Sequence, residues 1–193
     1  MLKISVLCII CIGMVLLRFS YAMNTGFNAG FKFTSVTEYI NHLKTISALP
    51  KGFSVGTTRF MFRPAEVDKM LPMNLTIIKL DEPTSSFAAM FTSNQFPGGP
   101  VLVGKDRLAN SEFLQAVVVN NKISNVCPGS GVTDRGIGDS EQVCQYVADA
   151  LELKSKDFVF PSSTGIIGWR LPVGAMKVAI VSFQLSFFLL VVL

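Results

Sequence analysis

The run Ala116–Val119 constrains the fold most, because together with Gln115 it forms an almost continuously apolar stretch. A strand with apolar side chains on both faces has to be covered on both faces, as the central strands of α/β proteins are. Further short runs rich in β-branched and apolar residues predict strands at Leu75–Leu80, Phe87–Phe91 and Val101–Val103. Because Asp, Pro, Asn and Gly separate these runs, the predicted fold class is α/β.

One amphipathic helix is predicted between Asp139 and Leu151. Asp139 is placed as its N-cap, and Gln142 three residues later completes a capping box. The apolar stripe of this helix is formed by Val143, Val147, Ala150 and Leu151. Such a stripe at helical spacing is typical of core packing. A strand at Phe158–Phe160 follows, so the local order is strand, loop, helix, strand, loop.

The segment after this last strand predicts the functional site. Pro161 ends the strand, the hydroxyl residues Ser162–Thr164 come next, and Gly165 follows them. Such a segment presents backbone N–H groups and the Thr164 hydroxyl at the rim of a buried site, where they suit an oxyanion formed during acyl transfer. Loss of one such donor typically raises the barrier by ~3–4 kcal/mol. The alternative is an ordinary turn between a strand and a helix, in which Ser, Thr and Gly are common.

Length and charge narrow the classes of function. A chain of 193 residues allows one domain with a sizeable core. The net charge of +4 arises from 17 basic and 13 acidic side chains. Because the basic residues are scattered and not interleaved with aromatic residues, nucleic acid is not an expected partner.

The cysteines and the single histidine argue against disulfide, zinc and triad chemistry. Cys8 and Cys11 lie in an apolar leader, which leaves Cys127 and Cys144. Two cysteines are too few for a disulfide framework and do not have the spacing of metal ligands. With His42 as the only histidine, the chain lacks the residues for a His-based zinc site, and a Ser-His-Asp triad would have to use this one residue. No metal and no bound cofactor are expected.

Both ends of the chain differ in composition from its middle. Residues 1–22 read as a signal-like targeting leader, with a basic start, a short apolar core and a small-residue exit. Residues 23–46 form a polar spacer or a transit segment. The apolar tail, residues 178–193, is of uncertain origin, and its sixteen residues fall short of the ~20 usual for a membrane-spanning helix. Residues 47–177 form the predicted domain between them.

Six segments of this domain resemble, in the same order, those of the ornithine acetyltransferase/glutamate N-acetyltransferase family of arginine biosynthesis. They are Leu49–Phe53, Phe91–Asn94, Gly99–Val103, Val118–Asn120, Asn125–Cys127 and Ser163–Gly168. The resemblance covers the N-terminal, or α-chain, part of the family. It implies a mixed β-sheet packed with helices, of which this chain would hold an incomplete portion.

The resemblance also implies a chemistry. Members of the family are made as precursors that cleave themselves, and the new N-terminal threonine of the second half becomes the nucleophile. The enzyme transfers acetyl from N-acetylornithine to glutamate, in some members also using acetyl-CoA, and works as an α2β2 heterotetramer with its β chain. Thr164 and Gly165 match the family's oxyanion-hole pair. No residue here matches the nucleophile, so this chain alone is expected to be inactive.

The sequence departs from the family pattern at three places. Lys122 stands where the family usually has Gly, and Pro128 stands at a usual Thr. Lys122 lacks the freedom of glycine to adopt left-handed backbone geometry, so this loop is expected to differ in detail. The family pattern stops at about Lys177, which is interpreted as a truncated first half of the enzyme.

A second hypothesis comes from a different class of function. The leader and the apolar tail would suit a catalytically inactive binding protein that reuses the fold and is secreted or attached to a membrane through residues 178–193. For the enzyme, the expected compartment is a mitochondrion or a plastid. For the binding protein, it is the secretory pathway.

Overall fold

The computed structural model describes residues 33–47, 49–129 and 131–190, with side chains as far as residue 182. The predicted leader and residues 23–32 of the predicted spacer lie outside the described residues. The described helices and strands, in chain order, are α1 Val36–Ile46, β1 Phe53–Phe62, β2 Leu71–Thr84, α2 Gly99–Asn110, β3 Leu114–Asn120, α3 Ile137–Ala150, β4 Val159–Ser163 and α4 Val173–Leu190. A short 3-10 helix, Lys156–Phe158, leads into β4.

The described strands form one mixed sheet in the order β1-β2-β3-β4. β1 pairs with β2 and β2 with β3 in antiparallel fashion, whereas β3 and β4 are parallel. A parallel pair needs a crossover connection, and α3 provides it between β3 and β4. The mixed sheet packed with helices confirms the predicted α/β fold class and the predicted order from β3 onward.

β3 is the buried central strand that its apolar run predicts. On one face, Ala116 and Val118 pack into a core shared with α3 and α4. On the other face, Leu114 and Val117 pack with Phe160 of β4 and with the chain around residues 87–91. Burial of this strand on both faces stabilises the sheet.

Two predicted strands are absent, and the predicted end of the last strand at Pro161 is also wrong, because β4 continues through Pro161 to Ser163. Val101–Val103 lies inside α2, which Gly98 precedes as N-cap and in which Pro100 occupies the first turn. A three-residue apolar run has no periodicity that distinguishes a helix from a strand, and Pro is favoured at the first helical position. Phe87–Phe91 is irregular chain whose side chains alternate between half-buried and exposed, as in a strand, but it pairs with no strand in the described part of the sheet.

The predicted helix is present as α3, but its predicted cap is wrong. α3 has Gly136 as N-cap, and Asp139 lies within the first turn. The capping carboxylate is that of Asp134, which accepts hydrogen bonds from the N–H groups of Gly136 at 3.0 Å and Gly138 at 2.6 Å. The stripe packs as predicted: Val143, Val147 and Ala150 are buried, and Leu151 packs against them. Both Asp134 and Asp139 are of a residue type that is common at helix N-termini. Which of the two caps α3 is decided by the position of the turn at Gly136.

Helix α4 runs through the predicted boundary between residues 177 and 178. Met176, Ala179 and Ile180 on this helix are buried, and Met176 and Ile180 belong to the same core as α3. Val178 and Val181 are exposed. In the described part of the chain, no helix combines the length and hydropathy needed to cross a membrane.

A buried arginine ties α2 to the elements that lead into β4. The Arg107 guanidinium contacts the carboxylates of Glu141 on α3 at 2.7 Å and of Asp157 in the 3-10 helix at 3.0 Å. Lys156 contacts Glu141 from the other side at 2.8 Å. Burial of the Glu141 carboxyl opposes its charge, but the hydrogen bonds from Lys156 and Arg107 outweigh burial and lower its pKa. This ion cluster therefore fixes the start of β4 relative to α2 and α3.

Glu141→Gln should lower the free energy of unfolding by about 1–3 kcal/mol at pH 7, because it leaves the buried Arg107 with fewer acceptors. Since folding lowers the pKa of Glu141, its contribution to the free energy of unfolding is complete above its unfolded pKa of about 4.5. That contribution is lost as the pH falls through the pKa of the folded state. Urea unfolding from pH 7 into the acid range should show the deficit shrinking. Glu112→Gln, at an exposed carboxylate, is the matched control, and a deficit that persists in acid would contradict the account.

Candidate active site

The candidate site lies where β3 and β4 end. These two strands are parallel and in register, so that Asn120 and Ser163 end them side by side. In α/β sheets, ligands bind outside the carboxyl ends of parallel strands. Two segments continue from this edge, residues 121–129 after β3 (the β3 loop) and residues 164–169 after β4 (the β4 loop). The predicted pair Thr164 and Gly165 opens the β4 loop.

The two loops extend the parallel pairing of their strands. The N–H groups of Thr164, Ile166 and Gly168 donate to the carbonyls of Asn120, Lys122 and Val126 at 3.1, 2.9 and 2.9 Å. Ser124 returns a hydrogen bond from its N–H to the carbonyl of Ile166 at 3.0 Å. Alternate residues of the β4 loop are thus fixed to the β3 loop, and the N–H groups between them face away.

This alternation leaves two donors side by side. Among the described residues, neither the Gly165 N–H nor the Thr164 hydroxyl makes a hydrogen bond. The Thr164 N–H, in contrast, donates to the Asn120 carbonyl. It is therefore not available to an oxyanion, although the sequence analysis expects the backbone N–H groups of this segment to be. Both residues are exposed in this chain rather than placed at the rim of a buried site. The arrangement offers one backbone and one hydroxyl donor to a negatively charged oxygen.

Gly165 is required at its position for two independent reasons. Its φ is +131°, which L side chains rarely adopt. A Cβ there would also lie 2.3 Å from the Lys122 carbonyl carbon and 2.8 Å from the Ile123 nitrogen, which are backbone atoms that cannot rotate away. The close approach of the two main chains at this point therefore depends on the absence of a side chain.

Asn120 joins both loops at their origin. Its buried Oδ1 accepts a hydrogen bond from the Ser163 hydroxyl at 2.6 Å. Its Nδ2 donates to the carbonyl of Ile123 at 2.8 Å and to that of Asn121 at 3.1 Å. The side chain of Asn120 is thus satisfied entirely within the site. The sequence contains one signal for the role of Asn120, namely a polar residue directly after an apolar run. The sequence analysis assigns no role to Asn120.

The β3 loop has an unusual backbone. Lys122, Asn125 and Cys127 have φ of 74°, 52° and 51°, in the left-handed region. The expectation that Lys122 avoids this geometry is wrong. The loop has to turn within two residues of Asn120 so that Ile123 can pair with Ile166, and the left-handed conformation at Lys122 costs about 1–2 kcal/mol.

Asn125 anchors the β3 loop to the two neighbouring helices. Its fully buried Nδ2 donates to the Gly136 carbonyl at 2.8 Å and to the Ser140 hydroxyl at 2.9 Å. Its own carbonyl accepts from the N–H of Gly99 at the start of α2, at 3.1 Å. Asn tolerates the left-handed region better than most residues, which suits it to this position.

The far end of the β4 loop is held by an ion pair. The Arg170 guanidinium contacts both carboxylate oxygens of Asp139 at 3.2 and 3.3 Å, and its backbone N–H donates to Glu66 at 2.9 Å. Asp139, predicted as a helix cap, therefore fixes the chain that leaves the site. Sequence reasoning alone had no signal for this pairing.

Other reactive side chains do not assemble at the site. Burial raises the pKa of the Cys144 thiol to about 12, so it is not a nucleophile at neutral pH. Cys127 is exposed on the β3 loop, and His42 lies on α1, where its ring contacts Phe33. No group of three acidic, Cys or His side chains is placed to hold a metal ion within the described residues.

Gly165→Ala should lower the free energy of unfolding by about 2 kcal/mol or more, since it introduces both backbone strain and a clash with the Lys122 carbonyl. Gly174→Ala is the matched control, because a Cβ on Gly174 in α4 meets nothing within 4 Å. That change should raise the free energy of unfolding by about 0.5–1 kcal/mol. Urea unfolding of both variants measures the difference. Equal stability of the two would contradict the close approach described here.

Comparison with known proteins agrees with the fold. The ArgJ family model matches residues 63–186. The arginine biosynthesis bifunctional protein ArgJ of Nitratidesulfovibrio vulgaris is 33% identical over 126 residues, covering 65% of this chain and 29% of that protein. The protein of the same name from Bacillus anthracis is 34% identical over 133 residues, covering 69% of this chain and 30% of that protein. The chain thus spans less than a third of the length of these curated relatives.

Solved structures agree as well. ArgJ from Bacillus halodurans superimposes with a TM-score of 0.53 and 29% identity, over 68% of this chain and 62% of that one. Ornithine acetyltransferase from Mycobacterium tuberculosis, solved in complex with ornithine, gives a TM-score of 0.54 and 25% identity, over 71% of this chain and 68% of that one. Because the family model covers more than half of the sequence and the fold agrees, the chain belongs to the ArgJ family.

Proposed function

We propose that this chain supplies the oxyanion-stabilising part of an acetyltransferase of arginine biosynthesis, which transfers acetyl from N-acetylornithine to glutamate. The observation that carries the proposal is the adjacent pair of unpaired donors, the Gly165 N–H and the Thr164 hydroxyl, at the ends of two parallel strands. Membership of the ArgJ family supports it, as does the ornithine bound to a relative of the same fold.

In this proposal the two donors act on the acetyl carbonyl oxygen. A nucleophilic hydroxyl attacks the carbonyl carbon of N-acetylornithine, and the negative charge that develops on the oxygen is stabilised by the Gly165 N–H and the Thr164 hydroxyl. Collapse of the tetrahedral intermediate breaks the C–N bond, and the departing ornithine amine takes a proton. The amine of glutamate then attacks the acetyl-enzyme and regenerates the hydroxyl.

The nucleophile is assigned to a second chain. None of the 193 residues matches the N-terminal threonine that the family resemblance implies. Thr164 and Gly165 are exposed here, whereas donors of this kind act most strongly when water is excluded. A β chain from the same precursor would supply both the nucleophilic threonine and the cover, and its free α-amine would serve as the base in place of a histidine.

The proposal extends to assembly, acetyl source and compartment. The two chains would form an α2β2 heterotetramer, with acetyl-CoA as a second acetyl donor and no bound metal. The signal-like leader at residues 1–22 would direct the protein towards a mitochondrion or a plastid.

Fluorescence microscopy of the chain tagged after residue 193 tests the compartment. A purely extracellular signal would reject the proposed location in an organelle.

The experiment isolates the tagged chain from its own cells, identifies any co-purifying chain by its N-terminal residue, and measures acetyl transfer from N-acetylornithine to glutamate. The complex should be active, and the 193-residue chain alone should not. Thr164→Val in the complex should lower kcat about 100-fold or more, since it removes one oxyanion donor. Thr164→Ser keeps the hydroxyl and should retain most of the activity. Turnover by the chain alone, or full activity of Thr164→Val, would contradict the proposal.

A further inference from the structure

Lys122 brings a positive charge to the site that the fold does not use. Its side chain is half-buried, and within the described residues its ammonium forms no salt bridge or hydrogen bond. The buried Arg107, in contrast, has the carboxylates of Glu141 and Asp157 as partners. An ammonium that has no partner within the fold can pair with an anion that binds at the site.

The backbone of Lys122 touches the residue that carries the free N–H. Its carbonyl accepts from the Ile166 N–H at 2.9 Å, and a Cβ on Gly165 would lie 2.4 Å from that carbonyl oxygen. The flexible four-carbon stem of lysine, starting from this point, can bring the ammonium to an anion held by Gly165 and Thr164. Neither loop contains Asp or Glu, so no carboxylate within the two loops competes for the charge.

The backbone of Lys122 is also strained. Its φ of 74° lies in the region where glycine fits without cost and lysine does not. Strain of this kind persists where the surrounding structure enforces it, and such positions cluster at ligand-binding and active sites. The strain at Lys122 therefore marks this position of the β3 loop as a candidate ligand-binding position.

We propose that Lys122 is the third, charged donor of this site, so that Lys122, Thr164 and Gly165 together bind an anionic oxygen. In the chain by itself the ligand is the carboxylate of a small acid. In the acetyl-transfer reaction it is the tetrahedral oxyanion, and this second role rests on the proposed function. The site would then differ from an oxyanion hole of two neutral donors by one full positive charge.

The test is a titration of the full 193-residue chain, labelled with ¹⁵N, with sodium acetate at constant ionic strength set by chloride. The Gly165 amide should shift saturably with acetate and not with chloride. Lys122→Met keeps the stem and the backbone strain but removes the charge, and it should weaken acetate binding about tenfold or more. Lys122→Arg should bind within a few-fold of the original chain. Lys105→Met, at an exposed lysine of α2, is the matched control and should bind unchanged.

Two outcomes overturn the inference: no saturable shift of Gly165, or the same acetate affinity in Lys122→Met. Lys122→Gly separates binding from structure, because it relieves the strain and also removes the charge. It should lose acetate binding as Lys122→Met does, while its thermal unfolding midpoint stays the same or rises. A lower midpoint with unchanged acetate affinity would show a structural role for Lys122 and overturn the inference.

The two proposals fail in different ways. Acetate binding needs no nucleophile. If the chain binds acetate through Lys122 but its complex does not transfer acetyl, the proposed function is rejected and the anion site is retained. A complex that transfers acetyl equally well with Lys122→Met rejects the role of Lys122 and leaves the proposed function standing.

Discussion

The close parallel contact between the β3 and β4 loops is the constraint on which the rest of the site depends. At its centre the main chain of Gly165 lies against the carbonyl of Lys122, at a distance that no side chain on residue 165 would allow. Asn120 holds the origin of both loops, because its carbonyl accepts from the Thr164 N–H and its Oδ1 accepts from the Ser163 hydroxyl. This geometry uses every second N–H of the β4 loop and leaves that of Gly165 for a ligand.

The surrounding fold serves to keep that contact in register. β3 is held in place by close packing on both of its faces. The Arg107 cluster fixes the start of β4, and the Arg170–Asp139 pair fixes the chain that leaves the β4 loop. The left-handed backbone at Lys122 is a local cost that these interactions offset.

The central strand and the apolar stripe of α3 could be predicted from the sequence, because each depends on local pattern, whereas the role of Thr164 and Gly165 as oxyanion donors stays a prediction. The strand predicted at Val101–Val103 failed because three apolar residues carry no period, and Pro100 favours a helix start. The left-handed backbone of Lys122 and the partner of Asp139 could not be predicted, since each depends on a contact across the fold. Asp139 illustrates this: its local context suits a cap, but its partner is Arg170.

Hydrogen exchange of the β4 loop amides, read residue by residue by NMR, tests the central claim most directly. The account predicts that the N–H groups of Thr164, Ile166 and Gly168 are protected by their hydrogen bonds to the β3 loop, and that the Gly165 N–H exchanges with little protection. An alternation of this kind would establish the Gly165 N–H as a donor available to a ligand. A protected Gly165, or a Thr164 N–H that exchanges as freely as that of Gly165, would contradict the account.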